Sequence, residues 1–262
     1  MRNVWLGALA LLLVLSGLNL APWSDAAGEQ GENHESMGVP HPLAGNLVAH
    51  WLLDEGSGQY ANDTGGNNNN GTLLPSYPGN APAWTSGGIS GNALMFDGVD
   101  DYVETPNIGF SGNVPLSIAF WAKVNVIVIT NNFVSVGYRS ELNLIGIGVG
   151  STANTLFLNT WGGLYNLEVD ISPVTTTAGY FFIAYSYDGT TERLWANGEL
   201  KLTRDIPYSF SNNPVRIGGK TGGYNGQFLN GTIDEVSIWS RAAGLHIGAD
   251  AEHRQAYSSG RL

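Results

Sequence analysis

The stretch Arg193-Leu194-Trp195-Ala196-Asn197-Gly198-Glu199-Leu200-Lys201-Leu202 decides the fold class. Asn-Gly is the strongest two-residue hairpin signal, because both central positions of the favoured turn need φ > 0 and these two residues tolerate it. It lies between Arg193-Leu194-Trp195 and Leu200-Lys201-Leu202, two short strand-like runs. An antiparallel pair is therefore specified locally. Outward from it the same grammar repeats. Strand-like runs lie at 47–53, 93–96, 102–105, 116–128, 133–136, 142–149, 155–159, 165–171, 180–187, 192–196, 215–217 and 232–239, with Gly, Asn, Asp or Pro in nearly every gap. The polar stretch holding Gly65-Gly66 and Asn67-Asn68-Asn69-Asn70 reads as surface loop. Many short strands with no helical period between them predict one all-β domain, an antiparallel β-sandwich.

Composition supports this reading and excludes others. The 262 residues include 36 Gly and 25 Asn, the two residues that best supply left-handed turn conformations. Only 13% are charged, too few for the Lys- and Glu-rich surfaces of a helical bundle. Lys and Arg number 11 against 22 Asp and Glu, a net charge of -11, so no basic patch is visible for nucleic acid. Aromatics make up 11%, enough for a sizeable core. The absence of Cys excludes a disulfide framework and a lipid-modified N-terminal Cys.

Residues 1–26 read as a secretory signal peptide: Met1-Arg2, an apolar run over 4–18, then Ser24-Asp25-Ala26 as the cleavage site. The chain is thus expected to be secreted or held at the cell surface, without stable membrane insertion after cleavage. An uncleaved anchor is the alternative, since the run approaches the ~18 residues that span a bilayer. Residues 27–45 read as a flexible linker, 46–243 as the sandwich, and 244–262 as a tail with room for a short helix over 245–257. His34 and His41 fall in the linker. His246 and His253 fall in the tail, seven apart, which does not suit a zinc pair.

Within 46–243 a series of segments carries a family resemblance. They are His50-Trp51-Leu52-Leu53-Asp54-Glu55-Gly56-Ser57-Gly58, Asn70-Gly71-Thr72-Leu73, Gly91-Asn92-Ala93-Leu94 and Phe96-Asp97-Gly98-Val99-Asp100-Asp101-Tyr102-Val103. Next come Leu116-Ser117-Ile118-Ala119-Phe120-Trp121, Tyr187-Asp188-Gly189, Val215-Arg216-Ile217-Gly218-Gly219 and Asn230-Gly231-Thr232-Ile233-Asp234-Glu235-Val236. In this order the chain resembles the laminin-G-like members of the concanavalin A-like lectin and glucanase superfamily, of the bacterial secreted type. The resemblance implies a jelly roll of two curved antiparallel sheets.

Because that superfamily includes retaining β-glucanases, catalysis must be tested. Their resemblance implies two Glu and an intervening Asp along one strand. Glu168-Val169-Asp170 matches the first half, but Ser172-Pro173-Val174 follows where the second Glu belongs. One carboxyl cannot serve as both nucleophile and acid in that mechanism. No nucleophilic Cys and no G-x-S-x-G elbow is present. His50 sits on an alternating strand segment and reads as a packed residue.

Two binding sites are expected instead. Asp97-Gly98-Val99-Asp100-Asp101 packs three carboxylates into one turn, and with Asp234 it nominates Asp97, Asp100 and Asp234 for a structural Ca²⁺, which takes six to eight oxygens. The alternative is that these aspartates cap turns, with Asp234 and Glu235 anchoring neighbouring loops by hydrogen bonds. For sugars, aromatics beside turns are the natural stacking surfaces: Tyr138 with Arg139, Trp161 before Gly162-Gly163, and Tyr224 among glycines. Each of these aromatics has the alternative of packing on its own loop. Trp51, Trp121, Trp195 and Trp239 lie within strands and are expected to fill the core. The functional expectation is a non-catalytic module that recognises an extracellular glycan. A structural or adhesive module contacting a surface protein is the alternative, and a glycoside hydrolase comes third.

Overall fold

The computed structural model describes residues 46–75, 79–221 and 226–243, which form sixteen strands and no α-helix. The segments expected to be a signal peptide (1–26), a linker (27–45) and a tail with room for a short helix (244–262), together with Tyr224, lie outside the described residues. The first sheet runs, edge to edge, β14 (Glu199–Asp205), β13 (Thr191–Ala196), β12 (Phe181–Tyr187), β7 (Leu116–Val124), β16 (Asn230–Trp239), β5 (Ala93–Asp97) and β4 (Ala83–Thr85). The remaining strand of that sheet, β1 (Leu47–Trp51), pairs with the second half of β16. The second sheet runs β11 (Leu167–Asp170), β10 (Thr155–Asn159), β9 (Leu144–Val149), β8 (Asn132–Gly137), β15 (Pro214–Ile217), β6 (Asp101–Asn107), β3 (Gly71–Pro75) and β2 (Tyr60–Ala61). All pairings are antiparallel, and the chain crosses repeatedly between sheets, giving the expected sandwich of jelly-roll type.

Alternation builds the core. On β7, Leu116, Ile118, Phe120, Ala122 and Val124 face the second sheet and are buried. Phe133 of β8 meets them across the gap, its ring centroid 5.6 Å from Phe120 and 5.7 Å from Phe181. Each such ring contributes roughly 1.5–3 kcal/mol by leaving water. The hairpin read first is present: Ala196 pairs with Glu199, and Asn197 and Gly198 take φ of 47° and 82°.

Three expectations need correction. The strand expected over 116–128 stops at Val124, because its partner β16 begins at Asn230. The Asn230 carbonyl takes the N–H groups of both Asn125 and Val126, after which there is no ladder to join. Val126, Ile127, Val128 and Ile129 consequently stand in a loop, 37–51% exposed. Second, the polar stretch after Gly58 is not wholly loop; it contains β2 and leads into β3. Third, only Trp51 of the four strand tryptophans belongs to the core between the sheets. Trp121, Trp195 and Trp239 are buried on the outer face of the first sheet, with Phe182, Ala119, Ala184 and Ala243. Leu47, Ile89 and Tyr180 pack against that second cluster.

Polar side chains also hold the inside. Glu192 is fully buried and accepts hydrogen bonds from the hydroxyls of Tyr185 (2.7 Å) and Tyr208 (3.0 Å), and it is ion-paired with Arg204. Burial holds both hydroxyls well above the usual tyrosine range, so they remain donors. Arg204 also donates to the Tyr165 carbonyl at 2.8 Å, tying the network to the β10–β11 loop. Glu192→Ala strands the guanidinium and two hydroxyls and is expected to cost about 3–5 kcal/mol in denaturant unfolding. A loss below about 1 kcal/mol would mean that the network is dispensable.

Candidate functional site

Two of the aromatics nominated from sequence, Tyr138 and Trp161, lie on the β8–β9 and β10–β11 connections of the second sheet. Asparagines set those loops. In the β8–β9 connection, Tyr138 N–H donates to both the carbonyl (3.0 Å) and side chain (3.1 Å) of Asn143, and Asn143 in turn donates to Ser211 Oγ at 2.7 Å. Gly137, at φ 98°, is required here, since a Cβ would lie 1.9 Å from the Asn143 carbonyl oxygen. In the β10–β11 connection, Asn159 Oδ1 accepts from Trp161 N–H at 3.0 Å, and Asn166 Oδ1 accepts from Thr160 N–H at 2.8 Å. Trp161 itself takes φ 52°, a left-handed turn conformation. A hydrogen bond from Leu142 N–H to the Thr160 carbonyl (3.0 Å) joins the two loops.

The chain after β15 completes the arrangement. It leaves Ile217, turns at Gly218 (φ 80°) and folds back over the sheet, where Ser135 Oγ donates to the Gly219 carbonyl and accepts from Thr221 N–H. This brings Lys220, 3% exposed, onto Trp161 with Nζ 4.2 Å from the ring centroid. Arg139, on the exposed β8–β9 loop, places its guanidinium carbon 5.9 Å from the same centroid. Burial lowers the Lys220 ammonium to about 8. Alongside, Arg216 lies 4.0 Å over the Tyr102 ring, pairs with Glu104 at 2.7 Å and donates to the Lys220 carbonyl. Tyr138 (43%) and Leu164 (77%) stand exposed at the rim. Of the four residues nominated for ligand, Tyr138 and Arg139 share one loop, Trp161 joins them, and Tyr224 lies outside the described residues. Lys220 was missed. Its only sequence signal is a cation within the glycine-rich run after β15.

Of the aspartates nominated for metal, Asp97 and Asp234 stand apart. Asp97 pairs in register with Asn230, and Asp234 is four residues further along β16, about 13 Å at ~3.3 Å per residue. Asp97 Oδ1 caps its own turn, accepting from Val99 N–H at 2.8 Å. Asp234, fully buried, accepts from the N–H groups of Ile89 (2.7 Å), Ser90 (3.3 Å) and Glu235 (2.9 Å). Those donors occupy both oxygens of Asp234 and one oxygen of Asp97. Among the described residues no group of three or more His, Cys, Asp or Glu side chains is placed to hold a metal. The loop-anchoring alternative fits Asp234 directly. Glu235, at φ 53°, pairs instead with His50 Nε2 at 3.1 Å. Burial pushes both Asp101 and Asp234 up to about 7, against the pull of their backbone N–H bonds.

Glu168 lies on the β11 edge strand, exposed, with one oxygen accepting from Ser151 N–H (2.5 Å), Ser151 Oγ (2.5 Å) and Thr155 Oγ1 (2.6 Å). These bonds, the Ser151 hydroxyl first, hold its carboxyl below the usual range. Asp170, two residues on, accepts from Ser172 N–H at 2.8 Å. Glu168 therefore closes the turn around Ser151.

With the fold in view, a family model described as the concanavalin A-like lectin/glucanases superfamily, of laminin-G type, matches residues 97–245. The chain belongs to this superfamily. Among solved structures, domain 4 of AbnA, a GH43 extracellular arabinanase from Geobacillus stearothermophilus in complex with arabinotriose, superposes with a TM-score of 0.61 at 21% identity. The match covers 78% of this chain and 97% of that one. The binding domain of botulinum neurotoxin serotype D gives 0.58 at 14% identity, covering 81% of this chain and 53% of that one. The Trypanosoma rangeli sialidase gives 0.57 at 11%, covering 83% and 33%. This member of the superfamily thus spans about half of the neurotoxin binding domain and a third of the sialidase. At these identities the structures share its fold. No curated protein matches its sequence significantly.

Two measurements follow from the charges. Asp101 and Asp234 hold protons more tightly folded than unfolded, so their contribution to stability is present at acid pH and lost as pH rises from ~4 through ~7. Lys220 acts the opposite way at higher pH: the unfolded state binds its proton more tightly, so stability rises between ~8 and ~10.5. Denaturant unfolding from pH 4 to 10 should show this dip near neutrality, and the fall between ~4 and ~7 should flatten in Asp234→Asn. Adding millimolar Ca²⁺ or a chelator is expected to leave the melting temperature unchanged. A clear rise with Ca²⁺ would return the aspartates to the role of ligands.

Proposed function

We propose that this is a secreted, non-catalytic module that recognises an extracellular glycan through the loops at the end of the second sheet. The observation that carries this reading is the convergence of Tyr138, Arg139 and Trp161 from two loops held in place by asparagines, with Lys220 seated on the indole. Sugars present apolar C–H faces and a ring of hydroxyls. A fixed aromatic flanked by charged and amide donors matches both, and a preset side chain loses little entropy on binding. The arabinotriose complex of the arabinanase domain supports a sugar-binding role for this fold. Against catalysis, Glu168 is held by three donors and has no second carboxyl at the spacing that a retaining mechanism uses. Secretion rests on the apolar run over 4–18 and the small residues that follow it.

The adhesive alternative has one observation of its own. Val126–Ile129 and Val99 (69% exposed) present five β-branched side chains on two neighbouring loops, linked through Asn230, whose carbonyl accepts from Asn125 and Val126 and whose side chain donates to the Asp97 carbonyl. Such a patch suits protein contact.

Calorimetry against a glycan panel separates the two readings. Trp161→Ala is expected to weaken glycan binding by tenfold or more, while Ile127→Asp leaves it unchanged. If no glycan binds the wild-type chain, the recognition reading fails. Turnover of a polysaccharide that disappears in Glu168→Gln would reinstate the hydrolase.

A further inference from the structure

We propose that the chain carries a second glycan contact on the outer face of the second sheet, a strip formed by Tyr60, Thr72 and Glu104 that takes a short stretch of neutral polysaccharide; this rests on the reading of the chain as a glycan-binding module. Register places the three side chains in one row. Tyr60 of β2 pairs with Thr72 of β3, Thr72 with Glu104 of β6, and Glu104 with Arg216 of β15. Residues directly opposite in an antiparallel ladder project from the same face. Their chain neighbours Ala61, Leu73 and Val103 belong to the core, so the row points outward. Adjacent strands lie ~4.8 Å apart, so the row spans about 10 Å from β2 to β6, room for two linked sugars.

The two ends of the strip differ. β2 is the edge of the sheet, and Tyr60 there is 58% exposed, an aromatic surface for stacking on the apolar face of a sugar. At the other end Arg216 is buried over the Tyr102 ring, and beyond it the chain after β15 crosses the sheet on Ser135. The strip is thus open at the edge and closed by a wall. Glu104 is fixed from that wall: one oxygen accepts from Arg216 Nε at 2.7 Å, and the side chain remains 30% exposed. Neither its other oxygen nor the hydroxyls of Tyr60 and Thr72 hydrogen-bond to another described residue. An aromatic face, a hydroxyl and an anchored acceptor in line match the apolar and hydroxyl surfaces of a sugar chain. A carboxylate only accepts, so it suits hydroxyl donors and repels an acidic sugar.

The test is calorimetry of the full chain against arabino-, xylo- and gluco-oligosaccharides of one to four sugars. Trp161→Ala removes the loop site and should leave weaker binding by the strip. In that chain, adding Tyr60→Ala should cut the residual affinity about tenfold or more. Adding Thr72→Val, which keeps the branched shape, should cut it about fivefold. Tyr60→Phe keeps the ring and should change it little. Oligogalacturonate should bind the strip more weakly than its methyl ester, and Glu104→Gln, whose amide oxygen can still accept from Arg216, should erase the difference. A preference for the acid over its ester overturns the neutral assignment. Residual binding indifferent to Tyr60→Ala, or no residual binding at all, overturns the strip and leaves the loop site standing. Binding that Trp161→Ala leaves untouched and Tyr60→Ala abolishes supports the strip and overturns the loop site. If no sugar binds the wild-type chain, both proposals fall together.

Discussion

The fold depends on how one strand absorbs an extra residue. β16 has neighbours on both sides along nearly its whole length: β7 on one, and on the other β5 for its first half and β1 for its second. Its apolar residues Ile233, Val236 and Ile238 are spaced by three and then two, which a regular strand would put on opposite faces. The β-bulge between Asp234 and Ser237 resolves this by matching three steps on β16 with two on β7. Glu235 is turned out of the core at φ 53°, all three apolar side chains face inward, and Asp234 is aimed at the loop carrying Ile89 and Ser90. Gly88 can be nothing larger there, since a Cβ would lie 2.2 Å from the Asn92 carbonyl oxygen and 2.8 Å from Asp234. A buried carboxylate thus couples the central strand to the loop that covers the outer face of the same sheet.

Much of this architecture was legible because its signals are local. The Asn197-Gly198 turn, the short strand-like runs of β7 and β12 and the punctuating glycines each constrain a few neighbouring residues, and all point to one sandwich. What escaped were consequences of tertiary pairing. The irregular spacing of Ile233 and Val236 was visible but unread. The end of β7 depends on where β16 begins, a fact set more than a hundred residues away. Trp121, Trp195 and Trp239 carry the composition of core residues yet face outward, because burial on that face is decided by what packs over it.

The candidate site was half legible for the same reason. Aromatics beside turns are recognisable as stacking surfaces, and Arg139 does reach Trp161, with Tyr138 next to it on the same loop. Lys220 reaches them only because the chain doubles back after β15 on Ser135, a route with no sequence signature. For the aspartates, closeness in sequence says nothing about where the lone pairs point, and those of Asp97 and Asp234 point at backbone N–H groups. The asparagine excess, which first signified turns alone, turns out to hold the shape of the site through Asn143, Asn159 and Asn166.

The pairing of β1 with β16 carries a last implication. Leu47 lies opposite Trp239, and Ser240 N–H donates to the Asn46 carbonyl at 2.9 Å, so the first and last strands of the described residues lie side by side. A unit built this way can be spliced into a surface loop of another protein while separating the host's chain ends by little more than one strand spacing. It can equally be opened at an exposed loop and rejoined through a short linker with its sheets intact. Its strand order makes it portable, whatever ligand its loops select.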